Sequence, residues 1–210
     1  MATILDARNL SLKDVHRLLG VQERFNSSIS SLLSLEPATE EQLLKIRHLF
    51  HDYYAEGKIS EGQVKFLFIS PLLWLSGFYQ SNIKITLEEN ISDIFIEDED
   101  TVIKGRMDLL AVSKNKNHKL DNTYFWILVI EAKNASINAL EGLPQLLAYA
   151  YKSLEQQQFV WGLTTNGVDY RFVYLQQGNP VTYQLLPQLN LIDSESSLQL
   201  LQILKAICKI

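Results

Sequence analysis

A single mixed α/β domain is the fold class this sequence predicts, and three observations predict it. The first eighty or so residues carry apolar side chains at helical spacing. From residue 82 the period changes to short runs of Ile, Val, Phe and Tyr separated by polar turns. Helical spacing then returns twice, once between two groups of strands and once near the C-terminus. At 210 residues the chain is long enough for one sizeable core and short for two. It contains no internal repeat and no low-complexity linker.

The helices announce themselves by their ends. Ser11 reads as an N-cap before "LKDVHRLLG", with Gly20 as the stop. After a loop at Glu36-Pro37, Thr39 is expected to cap a helix with Leu43, Leu44, Ile46, Leu49 and Phe50 on its core face, and Gly57 ends it. Ser60 starts the next, "EGQVKFLFISPLLWLSGF", in which Pro71 predicts a kink or break. Trp74, Phe78 and Tyr79 read as packing rather than as a base-stacking platform.

The strands follow. "NIKITLEENI", "DIFIED", "VIKGRMDLLAVS" and "TYFWILVIEAK" precede the helical "SINALEGLPQLLAYAYKSLEQ". "FVWGLTT" and the strand after it are joined by a turn at Asn166-Gly167, and Gly178-Asn179-Pro180 leads into another strand. A last helix is expected from Ser194 to Ile207. On this reading residues 1–58 are an N-terminal helical segment packed on an α/β core of residues 59–210.

Composition excludes several classes of protein. With 47% hydrophobic and 20% charged residues the chain reads as an ordinary globular protein. No apolar run approaches the ~20 residues that span a bilayer, so no membrane partner is expected. The N-terminal twenty residues lack the basic, apolar and small-residue segments of a secretory signal. Cys208 is alone, which excludes an internal disulfide framework or a multi-Cys zinc site, and a cytoplasmic setting is expected.

The net charge of −5 is unevenly spread. Residues 91–100 hold five acids and no bases, read as a solvated turn. Residues 104–133 hold six bases against three acids, with Lys114, Lys116 and Lys119 in a basic hairpin loop of the kind that can touch phosphates.

The chemistry concentrates at the end of the run "YFWILVIEAKN". An apolar strand needs no charged pair at its end, yet Glu131 and Lys133 stand there with only Ala132 between them. Side chains two apart on a strand share a face, and ligand sites in α/β sheets lie beyond the C-terminal ends of strands. Upstream, Asp108 interrupts an otherwise apolar half-strand. The 22 residues from Leu109 to Ile130 suit a hairpin that brings Asp108 beside Glu131. Two converging carboxylates offer hard oxygen ligands to Mg²⁺, and a neighbouring ammonium can orient water or offset phosphate charge.

Spacing alone proves little, because "EGK" at Glu56-Gly57-Lys58 repeats the Glu-x-Lys pattern in a polar turn. His48, His51 and Asp52 have helical metal-ligand spacing but no evident third ligand.

Taken together, "GRMDLL", "VIEAK" and "QLLAY" resemble the PD-(D/E)XK nuclease superfamily, and the pattern is closest to the N-terminal nuclease domain of type I restriction enzyme R subunits. The resemblance covers roughly residues 60–175. It implies a restriction-endonuclease-like central mixed β-sheet flanked by helices, here with an N-terminal helical extension. It also implies a Mg²⁺- or Mn²⁺-dependent deoxyribonuclease, with Glu61, Asp108, Glu131 and the Ala132 carbonyl on the metal. Lys133 would then position the attacking water and Gln145 would support it. Arg106, Tyr149 and Lys152 would face the substrate.

Met107 stands where the family name has Pro, and no Gly-x-x-x-x-Gly-Lys phosphate loop accompanies the motif. The implied partners are therefore DNA, a second copy of the chain, or separate motor or specificity subunits. Two alternatives stand beside this one: a non-catalytic module that keeps the fold to bind nucleic acid or protein, and a structural partner whose charged pair is only a buried ion pair.

Overall fold

The computed structural model describes residues 3–25, 28–36, 40–114 and 124–210. Capping chemistry sets the first helices. In α1 (Leu12–Leu19) the Ser11 hydroxyl accepts from the Asp14 N–H while the Asp14 carboxylate accepts from the Ser11 N–H, and Gly20 ends the helix. A short α2 (Ile29–Leu32) leads to α3 (Glu41–Glu56), which buries Leu43, Ile46 and Phe50 and stops at Gly57. Glu40 is the residue preceding α3; Thr39, the expected cap, and Pro37 lie outside the described residues.

Ser60 and Gln63 form a second capping box at α4 (Glu61–Gln63). The helix then widens into a π-helical segment, Val64–Ile69, and continues as α5 (Ser70–Ser76). Pro71 therefore neither breaks nor ends it. Proline lacks an N–H and crowds the carbonyl four residues back. A wider turn immediately before it, in which the Ser70 N–H bonds the Lys65 carbonyl five residues back, absorbs the mismatch. The buried side of this helix is Val64, Phe68, Leu72 and Leu73. Phe78 is core as expected, whereas Trp74 (68% exposed) and Tyr79 (50%) lie on the outer surface with their rings in contact.

Eleven strands are formed by the described residues: β1 (Thr3–Asp6), β2 (Gln22–Glu23), β3 (Ile83–Asn90), β4 (Ile94–Ile96), β5 (Thr101–Lys104), β6 (Arg106–Ser113), β7 (Phe125–Ala132), β8 (Phe159–Thr165), β9 (Asp169–Gln176), β10 (Thr182–Leu185) and β11 (Leu189–Asn190). The large sheet runs β2-β10-β9-β8-β7-β6-β3, with β11 against β9, and a small sheet runs β1-β5-β4. The large sheet is mixed: β7 and β8 are parallel, while β3, β6 and β7, and likewise β8, β9 and β10, pair antiparallel.

A parallel pair needs a crossover, and α6 (Leu143–Ser153) supplies it between β7 and β8. The last helix, α7 (Ser194–Cys208), matches the expected span to within a residue. This is a mixed α/β architecture with a large sheet flanked by helices, compatible with a restriction-endonuclease-like fold.

Both faces of the large sheet are covered, which explains why β7 reads as an unbroken apolar run. Leu128 and Ile130 enter a core shared with α3, α5 and α7, built around Leu43, Phe50, Phe68 and Leu204. Val129 enters a second core with Leu146 and Tyr149 of α6 and Val15 of α1.

The N-terminal segment differs from the purely helical expectation. β1 joins β5 in the small sheet and β2 joins β10 in the large one, so residues before 58 supply strands as well as helices. Runs of four and two residues are too short to carry a legible alternation, and their partners lie far along the chain. The acidic run is a single 3₁₀ turn, Glu97–Glu99, as its polarity suggested. Of the basic loop, Lys114 is described and Lys116 and Lys119 lie outside the described residues.

Cys208 is half-buried and burial pushes its thiol up to about 11, so it is a poor nucleophile. Among the described residues no helix is long and apolar enough to cross a membrane.

Phe68 is fully buried in the π-helical segment, with its ring edge against Phe50 at 4.9 Å between centroids. Phe68→Ala is expected to cost about 3–5 kcal/mol, read as a lower midpoint in urea unfolding; an unchanged midpoint would show that this contact does not hold the helix to the sheet.

Candidate active site

The antiparallel pairing of β6 and β7 sets Leu109 opposite Ile130, which places Asp108 beside Glu131. The Ala132 N–H donates to Asp108 Oδ2 at 2.8 Å and so fixes one carboxylate oxygen across the strand pair. Glu131 follows Val129 onto the α6 side of the sheet and is only 2% exposed. Lys133 Nζ lies 2.7 Å from Glu131 Oε1 and 3.1 Å from Gln145 Oε1. The Lys133 backbone N–H donates to the Thr165 carbonyl at 2.7 Å, continuing the pairing of β7 with β8.

α6 delivers Gln145 and Tyr149 from one face, four residues apart. Gln145 Nε2 donates to the Tyr149 hydroxyl at 2.9 Å, and the Arg106 N–H donates to the same hydroxyl at 3.2 Å. Lys133 is thus held by a glutamine that is itself held by a buried tyrosine. Gly142, just before α6, makes the close approach possible. A Cβ there would stand 2.9 Å from Glu131 Cγ and 3.4 Å from Lys133 Cε, so a larger residue would push into both side chains.

A second cation closes the other side. Lys65, from the π-helical segment, sets its Nζ 3.0 Å from Asp108 Oδ1 and 3.1 Å from both Glu61 Oε1 and Glu88 Oε1. Glu88 Oε2 in turn lies 2.7 Å from an Arg106 guanidinium nitrogen. Burial alone would lower the Lys65 pKa; hydrogen bonds and charge from Asp108, then Glu61 and Glu88, outweigh it and hold the ammonium above the ordinary lysine range.

Glu131 moves the other way for a carboxyl. Burial first, and then the Asp108 charge, push it up to about 8, with Lys133 opposing. Its Oε2 is buried with no hydrogen-bond partner.

Glu61, Asp108, Glu131, Lys133, Gln145 and Arg106 all line one open cavity of about 760 Å³. Two other sequence-predicted residues fall elsewhere. Tyr149 is fully buried, so it positions Gln145 and presents no surface to a substrate. Lys152 pairs with Glu155 at 2.6 Å and borders a separate groove with Tyr124 and Trp126. It is seven residues beyond Gln145, about 10 Å further along the helix axis. Glu56, Gly57 and Lys58 are exposed at the end of α3, as expected of the second Glu-x-Lys.

Sequence reasoning missed Lys65 and Glu88. Lys65 was visible only as a Glu-x-x-x-Lys pair with Glu61 at helical spacing, a pattern common on solvated helices.

The donor set suits a divalent cation at two positions. Asp108 and Glu131 are hard oxygen donors on neighbouring strands that line the cavity, and Glu131 Oε2 is an orphaned buried acceptor. Glu61 reaches the cavity but is bonded to Lys65, and the Ala132 group in contact with Asp108 is its N–H. Among the described residues no three His, Cys, Asp or Glu side chains converge as a ready metal cluster, His48 and His51 included.

No family model and no curated protein matches this chain. Among solved structures, the chain is similar to a fragment of a protein described as an HsdR subunit of a type I restriction enzyme from Vibrio vulnificus YJ016. The identity is 22%, the match covers 68% of this chain, and the TM-score is 0.39. The match covers 25% of that fragment's chain, so this chain spans about a quarter of its length. A likeness of this size transfers no activity.

The Glu131 shift sets a pH dependence. Its folded pKa of about 8 lies above the free value of 4.5, so the folded chain binds this proton more tightly than the unfolded chain. The stability from this group is complete below about 4.5 and is lost as pH rises through about 8. The melting temperature of Glu131→Gln relative to wild type is therefore expected to climb between those pH values in metal-free buffer; a pH-independent difference would mean that Glu131 titrates as an ordinary carboxyl.

Proposed function

We propose that this chain is a metal-dependent nuclease that hydrolyses DNA phosphodiester bonds, alone or as a subunit of a restriction or DNA-processing system. One observation carries the reading. Asp108 and Glu131 lie side by side in an open cavity with an ammonium, Lys133, held over them by Gln145. Ion-pair burial for stability alone would not leave Glu131 Oε2 without a partner or place the group at a cavity wall.

In this reading Asp108 and Glu131 hold Mg²⁺ or Mn²⁺, with Glu61 and the Ala132 carbonyl as further donors. When bound, such an ion supplies polarisation of the phosphate and a more acidic water.

The chain's own residues do the rest. Glu131 must give up its proton before it can act as a donor, because a protonated carboxyl is a poor ligand. Lys133 keeps its ammonium within 2.7 Å of Glu131 Oε1, where it orients the attacking water and offsets charge that builds on the phosphate. Gln145, fixed by the Tyr149 hydroxyl, sets the direction from which that ammonium approaches. Arg106, 59% exposed, is the cavity cation placed to meet the DNA backbone.

A binding module that keeps this fold without cutting is the second reading, favoured by the lack of three converging donors among the described residues. One experiment separates the two. Plasmid, linear and single-stranded DNA are incubated with purified protein and Mg²⁺ or Mn²⁺. Wild type is expected to cut at least one substrate, Lys133→Ala to cut about 10²–10³-fold more slowly, and Asp108→Asn to lose cutting altogether. Salt-sensitive DNA binding without cleavage would favour the module. Cutting by Lys133→Ala at the wild-type rate would remove Lys133 from the chemistry.

A further inference from the structure

An ammonium has three N–H donors. In Lys65 each of the three is matched to a carboxylate from a different element: Glu61 at the start of its own helix, Glu88 on β3 and Asp108 on β6, all at 3.0–3.1 Å. The Lys65 side chain is 19% exposed and Asp108 13%, so the bond between these two is the shielded one of the three. Glu88 reaches Lys65 from a left-handed backbone conformation, φ 56°, that a residue with a Cβ rarely adopts. A cation is therefore already built in behind three carboxylates that line the cavity.

Its position bears on Asp108. Oδ2 of that residue is committed to the Ala132 N–H, which leaves Oδ1 as the oxygen open to a cation, and Oδ1 is the atom Lys65 holds. The neighbouring acceptor, Glu131 Oε2, is buried and has no partner, and its residue lines the same cavity. A divalent ion that took Asp108 Oδ1 as a ligand would stand within a few ångströms of the Lys65 ammonium, where like charges repel.

We propose that Lys65 is an internal counter-cation that guards Asp108 in the metal-free chain and gives it up when a divalent ion enters. This rests on the metal-dependent reading above. Release also changes what the ammonium can do. Asp108 no longer neutralises it, so the lysine becomes available to a substrate phosphate only once the metal is in place. The cost of loading is then a lost ion pair, which keeps affinity for the metal alone low.

The test is calorimetric titration of Mn²⁺ into the full chain. Lys65→Gln, one atom shorter with two N–H donors and no charge, and Lys65→Met, which keeps the stem as far as Cε without donor or charge, are both expected to bind Mn²⁺ at least about tenfold more tightly than wild type. Lys104→Gln removes a positive charge from the same cavity without touching Asp108, and is expected to change affinity by less than about threefold.

Equal or weaker affinity in both Lys65 variants overturns the proposal, and so does an equal gain in Lys104→Gln. If wild type binds Mn²⁺ and Asp108→Asn abolishes binding while the Lys65 variants match wild type, the metal site stands and only the guard fails. If no variant binds Mn²⁺, the metal-dependent reading falls together with the proposal. Melting curves with and without Mn²⁺ give a second readout: the ion should raise the melting temperature of Lys65→Gln by more than that of wild type.

Discussion

Two carboxylates forced together at the ends of neighbouring strands are the constraint on which this structure turns. Asp108 is pinned by the Ala132 N–H, and Glu131 is buried beside it at 2% exposure. Like charges in such a place repel and desolvation penalises each of them, which is why Glu131 holds its proton up to about 8. The surroundings answer with one cation on each side: Lys133 on Glu131 and Lys65 on Asp108. Neither lysine is free to wander, because Gln145 restrains the first and Glu61 and Glu88 restrain the second.

The fold makes this arrangement by topology. β7 lies between an antiparallel neighbour and a parallel one. The antiparallel side needs only a hairpin, and that hairpin carries Asp108 to Glu131. The parallel side requires a crossover, and the crossover is α6, whose first turns place Gly142 against Glu131 and Gln145 against Lys133. Glu61 comes to the cavity from the helix that carries Pro71, and the π-helical segment ahead of that proline is where Lys65 resides. Packing and chemistry thus share the same residues: Tyr149 is core for α6 and the anchor of Gln145 at once.

Glu88 links the two halves of the cavity. It holds Lys65 through one oxygen and Arg106 through the other, so two cations share this single acid. A polyanion or a divalent ion entering the cavity meets a network that must rearrange rather than a preset positive surface. With a net charge of −5, the whole-molecule field does not itself draw in a polyanion, so any such attraction has to come from local groups.

Much of the architecture was legible in sequence because the signals were local. Ser11, Gly20, Ser60 and Gly57 marked helix ends through capping chemistry that acts within four residues. The apolar run before Glu131 and the single acid in "GRMDLL" identified two strands and their charged ends, and the length between them implied the hairpin. Gln145 was pointed to only by the resemblance that "QLLAY" carries, and no local spacing rule selects it. What stayed hidden depended on contacts between distant segments. Residues 3–6 pair with residues 101–104, and Glu88 meets Lys65 across 23 residues. No spacing rule joins them.

By itself, then, the sequence determined a mixed α/β chain with Asp108, Glu131 and Lys133 at adjoining strand ends, because strand periodicity and hairpin length are short-range properties. Only the tertiary structure decided that Lys152 lies off the cavity, that Tyr149 is a buried support, and that Lys65 sits on Asp108. Those outcomes follow from where helices cross the sheet, and that crossing is set by the packing of both cores at once.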